Sequence, residues 1–148
     1  MSRVVVDTDP KAIDNFFGKL DAGLDDVADE VFAISQDLVP VDRATLKKSG
    51  RVDREFLEKT VIYDSPEATW NEYGTEPHMP PEEPIIGWVR RNAALFGISS
   101  RSKTAIKKVA NSIRWKIYNY GTDPSPFLRP AFDDVQARAK AIIWKYFR

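Results

Sequence analysis

Residues 9–40, DPKAIDNFFGKLDAGLDDVADEVFAISQDLVP, carry the reading on which the fold turns. Asp9-Pro10-Lys11 has the form of an N-cap followed by proline at the first helical position, where the fixed φ suits a helix and the missing N–H costs nothing. From there Ile13, Phe16, Phe17, Leu20, Leu24, Val27, Val31, Ile34 and Leu38 recur at steps of three and four, which places them on one stripe. The opposite face carries Asp14, Asp21, Asp25, Asp29 and Glu30 beside Lys11 and Lys19. Pro40 disfavours helical geometry at Val39, so a helix is predicted from Lys11 to Leu38. At 1.5 Å per residue it would be roughly 40 Å long. Gly18 and Gly23 weaken its middle and mark a bend or a close helix crossing.

Downstream the period changes. Lys59-Thr60-Val61-Ile62-Tyr63 is β-branched and aromatic, and Val52, Arg54 and Phe56 give a partial alternation. Two antiparallel strands are predicted, about 50–56 and 59–64. Residues 74–84 hold four prolines in eleven positions and read as a loop. A short helix is predicted from Ile85 to Phe96, with Ile86, Trp88 and Val89 available for burial. A basic amphipathic helix follows at 102–118, with Ile106, Val109, Ile113 and Ile117 on one face and Lys103, Lys107, Lys108, Arg114 and Lys116 on others. Gly121 ends it. Pro130 introduces a last helix, Phe132 to Phe147, with Phe132, Val135, Ala139, Ile142, Ile143 and Tyr146 on one face. This order is α+β: a long N-terminal helix and further helices packed on a small antiparallel sheet. The 148 residues read as a single domain with a Pro-rich loop and helical insertion at about 75–118.

Composition narrows the class. Hydrophobic residues at 43% and seventeen Trp, Tyr and Phe side chains can build a core, which disfavours disorder. With no cysteine and one histidine, His78, a disulfide framework and a thiolate or histidine metal site lack their ligands. Asp25-Asp26, Glu82-Glu83 and Asp133-Asp134 are sequence neighbours whose side chains diverge, and no nucleophile, phosphate-loop or H-E-x-x-H pattern occurs. The expectation is therefore no catalytic residue, no metal and no cofactor. No apolar run reaches the roughly 18 residues of a membrane span, and Met1-Ser2-Arg3-Val4-Val5-Val6-Asp7 is too short for a signal peptide, so a soluble compartment is expected.

The formal charge of zero hides a cancellation: residues 1–84 hold 19 acids against 9 bases, and residues 85–148 hold 3 acids against 13 bases. A dipolar subunit is expected unless the fold interleaves the two halves. One internal echo also stands out: Tyr73-Gly74-Thr75-Glu76-Pro77 and Tyr120-Gly121-Thr122-Asp123-Pro124 share the pattern Tyr-Gly-Thr-acid-Pro. In each, glycine can take φ > 0 to end an element and proline fixes the exit.

Four segments in order carry a resemblance. Leu38-Val39-Pro40-Val41-Asp42 followed by Leu46-Lys47-Lys48-Ser49 is similar to an "APVDTG-x-L-x-x-S" signature, and Trp70-Asn71-Glu72-Tyr73-Gly74-Thr75 to a "Y-x-x-EYGT" segment. His78-Met79-Pro80-Pro81 with Trp88-Val89-Arg90 resembles "PHMPP…WVR". Gly121-Thr122 with Pro126-Phe127-Leu128-Arg129-Pro130-Ala131 resembles "GT-x-P-x-PFLRPA". These are the marks of the tail-component family of long-tailed siphophages, neck, tail-completion and head-tail joining proteins, and they span about residues 30–135. The chain departs from the pattern where the family's Thr-Gly is Arg43-Ala44.

The resemblance implies a structural, non-enzymatic virion protein, made in the host cytoplasm and located in the phage neck or tail. It implies a homo-oligomeric, hexameric ring between a head-side connector and tail-side terminator or tube proteins. Phage DNA would pass its channel without sequence-specific binding, and no membrane is involved. The interface candidates are Trp70, Tyr73, Trp88, Lys107, Lys108, Phe127, Leu128 and Arg129. Trp and Arg are favoured interface anchors, and the prolines around Phe127, Leu128 and Arg129 would hold them in fixed directions. Lys107 and Lys108 would meet the acidic first half of a neighbour. The alternatives are a tail-terminator ring subunit or a DNA-binding accessory protein using the basic helix 102–118.

Overall fold

The structure, a computed structural model, describes residues 9–40, 42 and 44–148. The Met1–Asp7 segment and, within the first signature, Val41 and Arg43 lie outside the described residues. In chain order the elements are α1 (Pro10–Leu38), α2 (Thr45–Lys48), β1 (Gly50–Glu55), β2 (Glu58–Tyr63), α3 (Pro66–Tyr73), α4 (Glu82–Arg91), a 3-10 turn (Ala93–Phe96), α5 (Lys103–Tyr120), α6 (Leu128–Gln136), α7 (Ala139–Trp144) and a closing 3-10 turn (Lys145–Phe147). The fold is α+β. Among the described residues, no helix is long and apolar enough to cross a membrane.

The chain divides into two compact units: unit 1, drawn from Met1–Ser65 and Phe127–Arg148, and unit 2, Pro66–Pro126. The insertion expected at about 75–118 falls inside unit 2, whose bounds are wider because α3 belongs to it.

Unit 1 is organised by α1. Asp9 Oδ1 accepts the Lys11 N–H at 3.0 Å with Pro10 in the first turn, and Val39, held extended before Pro40, closes the helix. β1 and β2 pair antiparallel from Gly50 opposite Tyr63 to Glu55 opposite Glu58, joined through Leu57 at φ 60. Val31, Ala131, Val135 and Ile142 form the core, flanked by Val27, Ile34, Val61 and Leu128. Gly23 is a close crossing: a Cβ there would lie 2.9 Å from the Ile143 backbone. Gly18, by contrast, faces open space.

Two expectations about unit 1 are corrected. The apolar stripe of α1 is not buried along its length: Ile13, Phe16 and Phe17 are exposed, and so is Leu38. Among the described residues, the closing 3-10 turn meets the early turns of α1, where Phe147 lies at a 5.2 Å ring separation from Phe16. The last helix is not continuous but breaks at Ala137-Arg138, where Arg138 leaves helical geometry (φ −120, ψ 1). On α6 the buried face carries Ala131 and Val135, and Phe132 is exposed.

Unit 2 packs α4 against α5 around Val89, Ile106 and Ala110, with Ile85, Ile86, Trp88, Ile98, Val109 and Ile113 at the margin. The α4 helix begins at Glu82 rather than Ile85 because Pro84 fits a first turn. Gly97, at φ 62, terminates the 3-10 turn that follows. Ser102 caps α5 by accepting the Ala105 N–H at 3.4 Å.

Candidate functional site

The two Tyr-Gly-Thr-acid-Pro segments, 47 residues apart, meet within unit 2. Each glycine ends a helix: the Gly74 N–H donates to Trp70 O at 2.9 Å after α3, and the Gly121 N–H donates to Ile117 O at 2.8 Å after α5. Both take positive φ, 73 and 71. The next residues then form an antiparallel bridge. The Thr75 N–H donates to Thr122 O at 3.1 Å, the Thr122 N–H donates to Thr75 O at 3.2 Å, and the two hydroxyls are 3.0 Å apart. A Cβ on Gly74 would collide with Thr122 O, and one on Gly121 with Thr75 O. The glycines are thus required twice, for handedness and for the approach of the opposite strand. The echo is one reciprocal clasp rather than two separate terminators. Around it, the Ser125 N–H donates to Asn71 O at 2.7 Å, the His78 N–H to Ile117 O at 3.3 Å, and Arg114 Nε to Pro80 O at 3.0 Å, strapping the Pro-rich loop to α5.

The interface candidates fall on both units. Trp70 and Tyr73 share α3 and are exposed, 55% and 66%. Trp88 is half-buried on α4, edge-on to Phe96 at 5.7 Å. Lys107 and Lys108 are exposed on α5, and Lys107 Nζ lies 3.6 Å from Glu82. The exposed pair Trp115 and Tyr118, edge to face at 5.4 Å, lies on the same helix; outside the interface candidates, these two aromatics beside the basic residues of 102–118 are part of what motivates the DNA-binding alternative.

Phe127 is corrected: it is 1% exposed, part of the core of unit 1, with its ring edge-on to Tyr63 at 4.9 Å. The prolines do not hold it outward, because it begins α6 and the adjoining Leu128 packs on the core cluster. Arg129 is exposed.

Unit 1 uses its charge internally. Lys59 Nζ lies 2.8 Å from Asp21 and 3.5 Å from Asp25. Arg54 pairs with Asp25 at 2.8 Å and with Asp29, and Arg138 joins Glu30 to Asp134, the latter at 2.9 Å. The Tyr146 hydroxyl donates to Asp26 at 2.9 Å. The hydrogen bond from Lys59, then the Leu57 N–H, holds the Asp21 carboxyl below the usual range, and Asp21 in turn raises Lys59. Asp26 pushes the Tyr146 hydroxyl up. Beneath the hairpin, buried Ser35 shares a 2.7 Å hydrogen bond with the Tyr63 hydroxyl, which also accepts from Gln36 at 3.1 Å. These acidic residues of α1 were read as a surface for a neighbour, yet cations from β1, β2 and the break before α7 meet them within the unit. By residue count unit 1 holds 16 acids and 14 bases, and unit 2 holds 6 acids and 8 bases. The fold therefore interleaves the two oppositely charged halves of the sequence.

No protein-family model, curated protein or solved structure matches this chain.

Proposed function

We propose that this chain is a structural, non-enzymatic virion protein of a long-tailed phage, a neck or tail-completion subunit that forms a ring at the head-tail junction. The observation that carries the reading is the set of four signature-like segments in chain order, from Leu38-Val39-Pro40 to Pro126-Phe127-Leu128-Arg129-Pro130-Ala131. Their positions in the fold support it. Val39, Leu46, Phe127 and Ala131 are buried, and Ser49 Oγ donates to Leu46 O at 2.8 Å and accepts the Ser65 N–H at 3.2 Å. Gly74 and Gly121 make the clasp. Ala44, at the signature's glycine, takes φ 58, the conformation that favours glycine. The signature is thus concentrated on residues that set the backbone, as expected of segments that specify a shared fold.

Identity of the partner surface rests on the exposed members, above all Trp70 and Tyr73 on α3. Large exposed aromatics are the side chains whose truncation costs an interface most, about 2 kcal/mol or more each. The test is made in the phage that encodes the chain. Loss of the gene should leave filled heads and tails that fail to join, the parent gene supplied in trans should restore joined particles, and Trp70→Ala with Tyr73→Ala should restore few. Normal numbers of joined, infectious particles without the gene would overturn the proposal.

A further inference from the structure

The tip of the β1–β2 hairpin, Glu55-Phe56-Leu57-Glu58, departs from three local rules at once. Glu55 and Glu58 face each other as the last pair of the ladder, and like charges directly opposite destabilise a hairpin. Among the described residues, neither carboxylate has a base within ion-pair distance. Leu57 takes φ 60 at the second turn position, where glycine or asparagine is favoured. Phe56 stands 68% exposed. The tip is nevertheless held in place: Asp21 accepts the Leu57 N–H at 2.7 Å, and Lys59 Nζ, 2.8 Å from Asp21, donates to Glu55 O at 2.9 Å. Backbone strain of this kind persists only where its surroundings impose it, and it gathers at binding sites. The tip is thus a preorganised projection, one aromatic ring between two acids.

A seat of matching chemistry lies on the same unit. The first turns of α1 are exposed from Pro10 to Gly18, and Asp9, Ala12, Ile13, Phe16 and Phe17 line an apolar hollow there. The Asp9 carboxylate is engaged as the helix cap. One turn on from Phe16, Lys19 lies over the Phe147 ring at 6.0 Å, and no acidic side chain among the described residues is within ion-pair distance of it. Asp14 stands on the other flank, beyond Phe17, so an acidic projection is favoured from the Lys19 side. The hairpin of the same copy does not reach the hollow. It lies against Asp21, Asp25 and Asp29, and Asp25 is nine residues, about two and a half turns, from Phe16, on the opposite side of the helix.

We propose that copies of this chain join head to tail, the hairpin tip of one seating Phe56 in the α1 hollow of the next, with Glu55 and Glu58 turned to its Lys19. An aromatic anchor then meets an apolar lining, and unpaired acids meet an unpaired cation. Projection and seat are different surfaces of the subunit, so the contact is heterologous, the class that closes a ring when its rotation allows. The proposal rests on the ring reading above and names one contact of that ring, on residues outside the interface candidates of the sequence.

Two variants of the full chain make the test by mixing. Phe56→Ala removes the projection and leaves the seat. Ile13→Glu puts an acid in the seat, leaves the projection, and suits the first turns of a helix. Both should keep the parental helix content and melting, since Phe56 and Ile13 are exposed. In sedimentation velocity over rising concentration the parent should assemble, and each variant alone should do so roughly thirtyfold more weakly or not at all. An equal mixture should form pairs, one copy of each variant, and stop there, because such a pair retains only the broken projection and the broken seat. Lys19→Glu should also weaken assembly, and Glu58→Lys in the same chain should restore part of it. Should Ile13→Glu fold poorly, Lys19→Glu takes its place in the mixture. A parent that stays monomeric, a mixture that stays monomeric, or either variant assembling alone like the parent would each overturn the proposal. A parent that assembles as well as every variant keeps a ring and discards this contact, whereas the count of joined particles tests the neck role separately.

Discussion

In unit 1 the acids of α1 meet cations delivered by the hairpin and by the segment between α6 and α7, and beneath them lies a core shared by α1, α6, α7 and β2. In unit 2 the core is smaller, the ends of α3 and α5 are fixed by backbone hydrogen bonds between two threonines, and the lysines along α5 stay turned to solvent. One unit is thus built on side chains that satisfy one another, and the other on a backbone pin with charge left over. Charges already neutralised at short range within a unit contribute little to recognition beyond about a Debye length, 8 to 10 Å, whereas unpaired ones still can. Local pairing within each unit, and not the segregation along the sequence, therefore decides which of these charges are already satisfied in the chain.

The sharpest way to break the contrast is through the core of unit 1. Val31→Asp places a carboxylate at a position 5% exposed among Ala131, Val135 and Ile142, with no cation in that cluster. Unfolding should be eased by several kcal/mol, enough to abolish cooperative melting in circular dichroism. Leu24→Asp, at a half-buried position outside the cluster, should cost less. A Val31→Asp chain with parental melting would place the core elsewhere.

Unit 2 should break instead at its pin. Gly121 holds φ 71 and ψ −155, a region essentially restricted to glycine, and any Cβ there runs into Thr75 O. Gly121→Ala should cost about 2 kcal/mol or more and should act locally. Hydrogen exchange should show lost protection at the Thr75 and Thr122 amides and in the last turn of α5, with α1 unchanged. Retained protection at those two amides would mean the bridge does not depend on the glycines.

These residues also show why the sequence yielded some features and withheld others. The α1 helix was readable because its start is local chemistry, Asp9-Pro10, and its stop is local sterics at Pro40. The α3 helix opens with the same kind of signal, Ser65-Pro66-Glu67, but eight residues with only a weak apolar face give no periodicity to find. Whether a stripe is covered is a tertiary matter: Phe16 and Val31 belong to one pattern, yet only Val31 lies beneath α6 and α7. Phe127 misled for the same reason, since three nearby prolines say that a loop is stiff and not which way its side chains point. The clasp was half readable. Two similar terminators suggested positive φ at Gly74 and Gly121, but pairing between Thr75 and Thr122 depends on the intervening chain returning to the same place.

The smallest effect sharpens the comparison at the signature's departure. Ala44 adopts φ 58 and ψ 6 just before α2, where the resembled signature carries glycine. An L-residue with a Cβ pays roughly 1–2 kcal/mol in this region, whereas glycine enters it freely but loses more backbone entropy on folding, about 0.5–1 kcal/mol. The difference predicts that Ala44→Gly stabilises the chain by about 0.5–1 kcal/mol, opposite in sign to Gly121→Ala although both exchange the same two residues at positive φ. The Lys48 N–H donates to Ala44 O at 2.9 Å and Ser49 caps the same turn, so the conformation is imposed by its surroundings and persists when the Cβ is removed. Chemical denaturation read by circular dichroism measures the difference directly. A destabilised Ala44→Gly chain would mean that position 44 does not hold the left-handed conformation, and would remove one of the supports for placing this turn beside the glycine turn of the siphophage neck proteins.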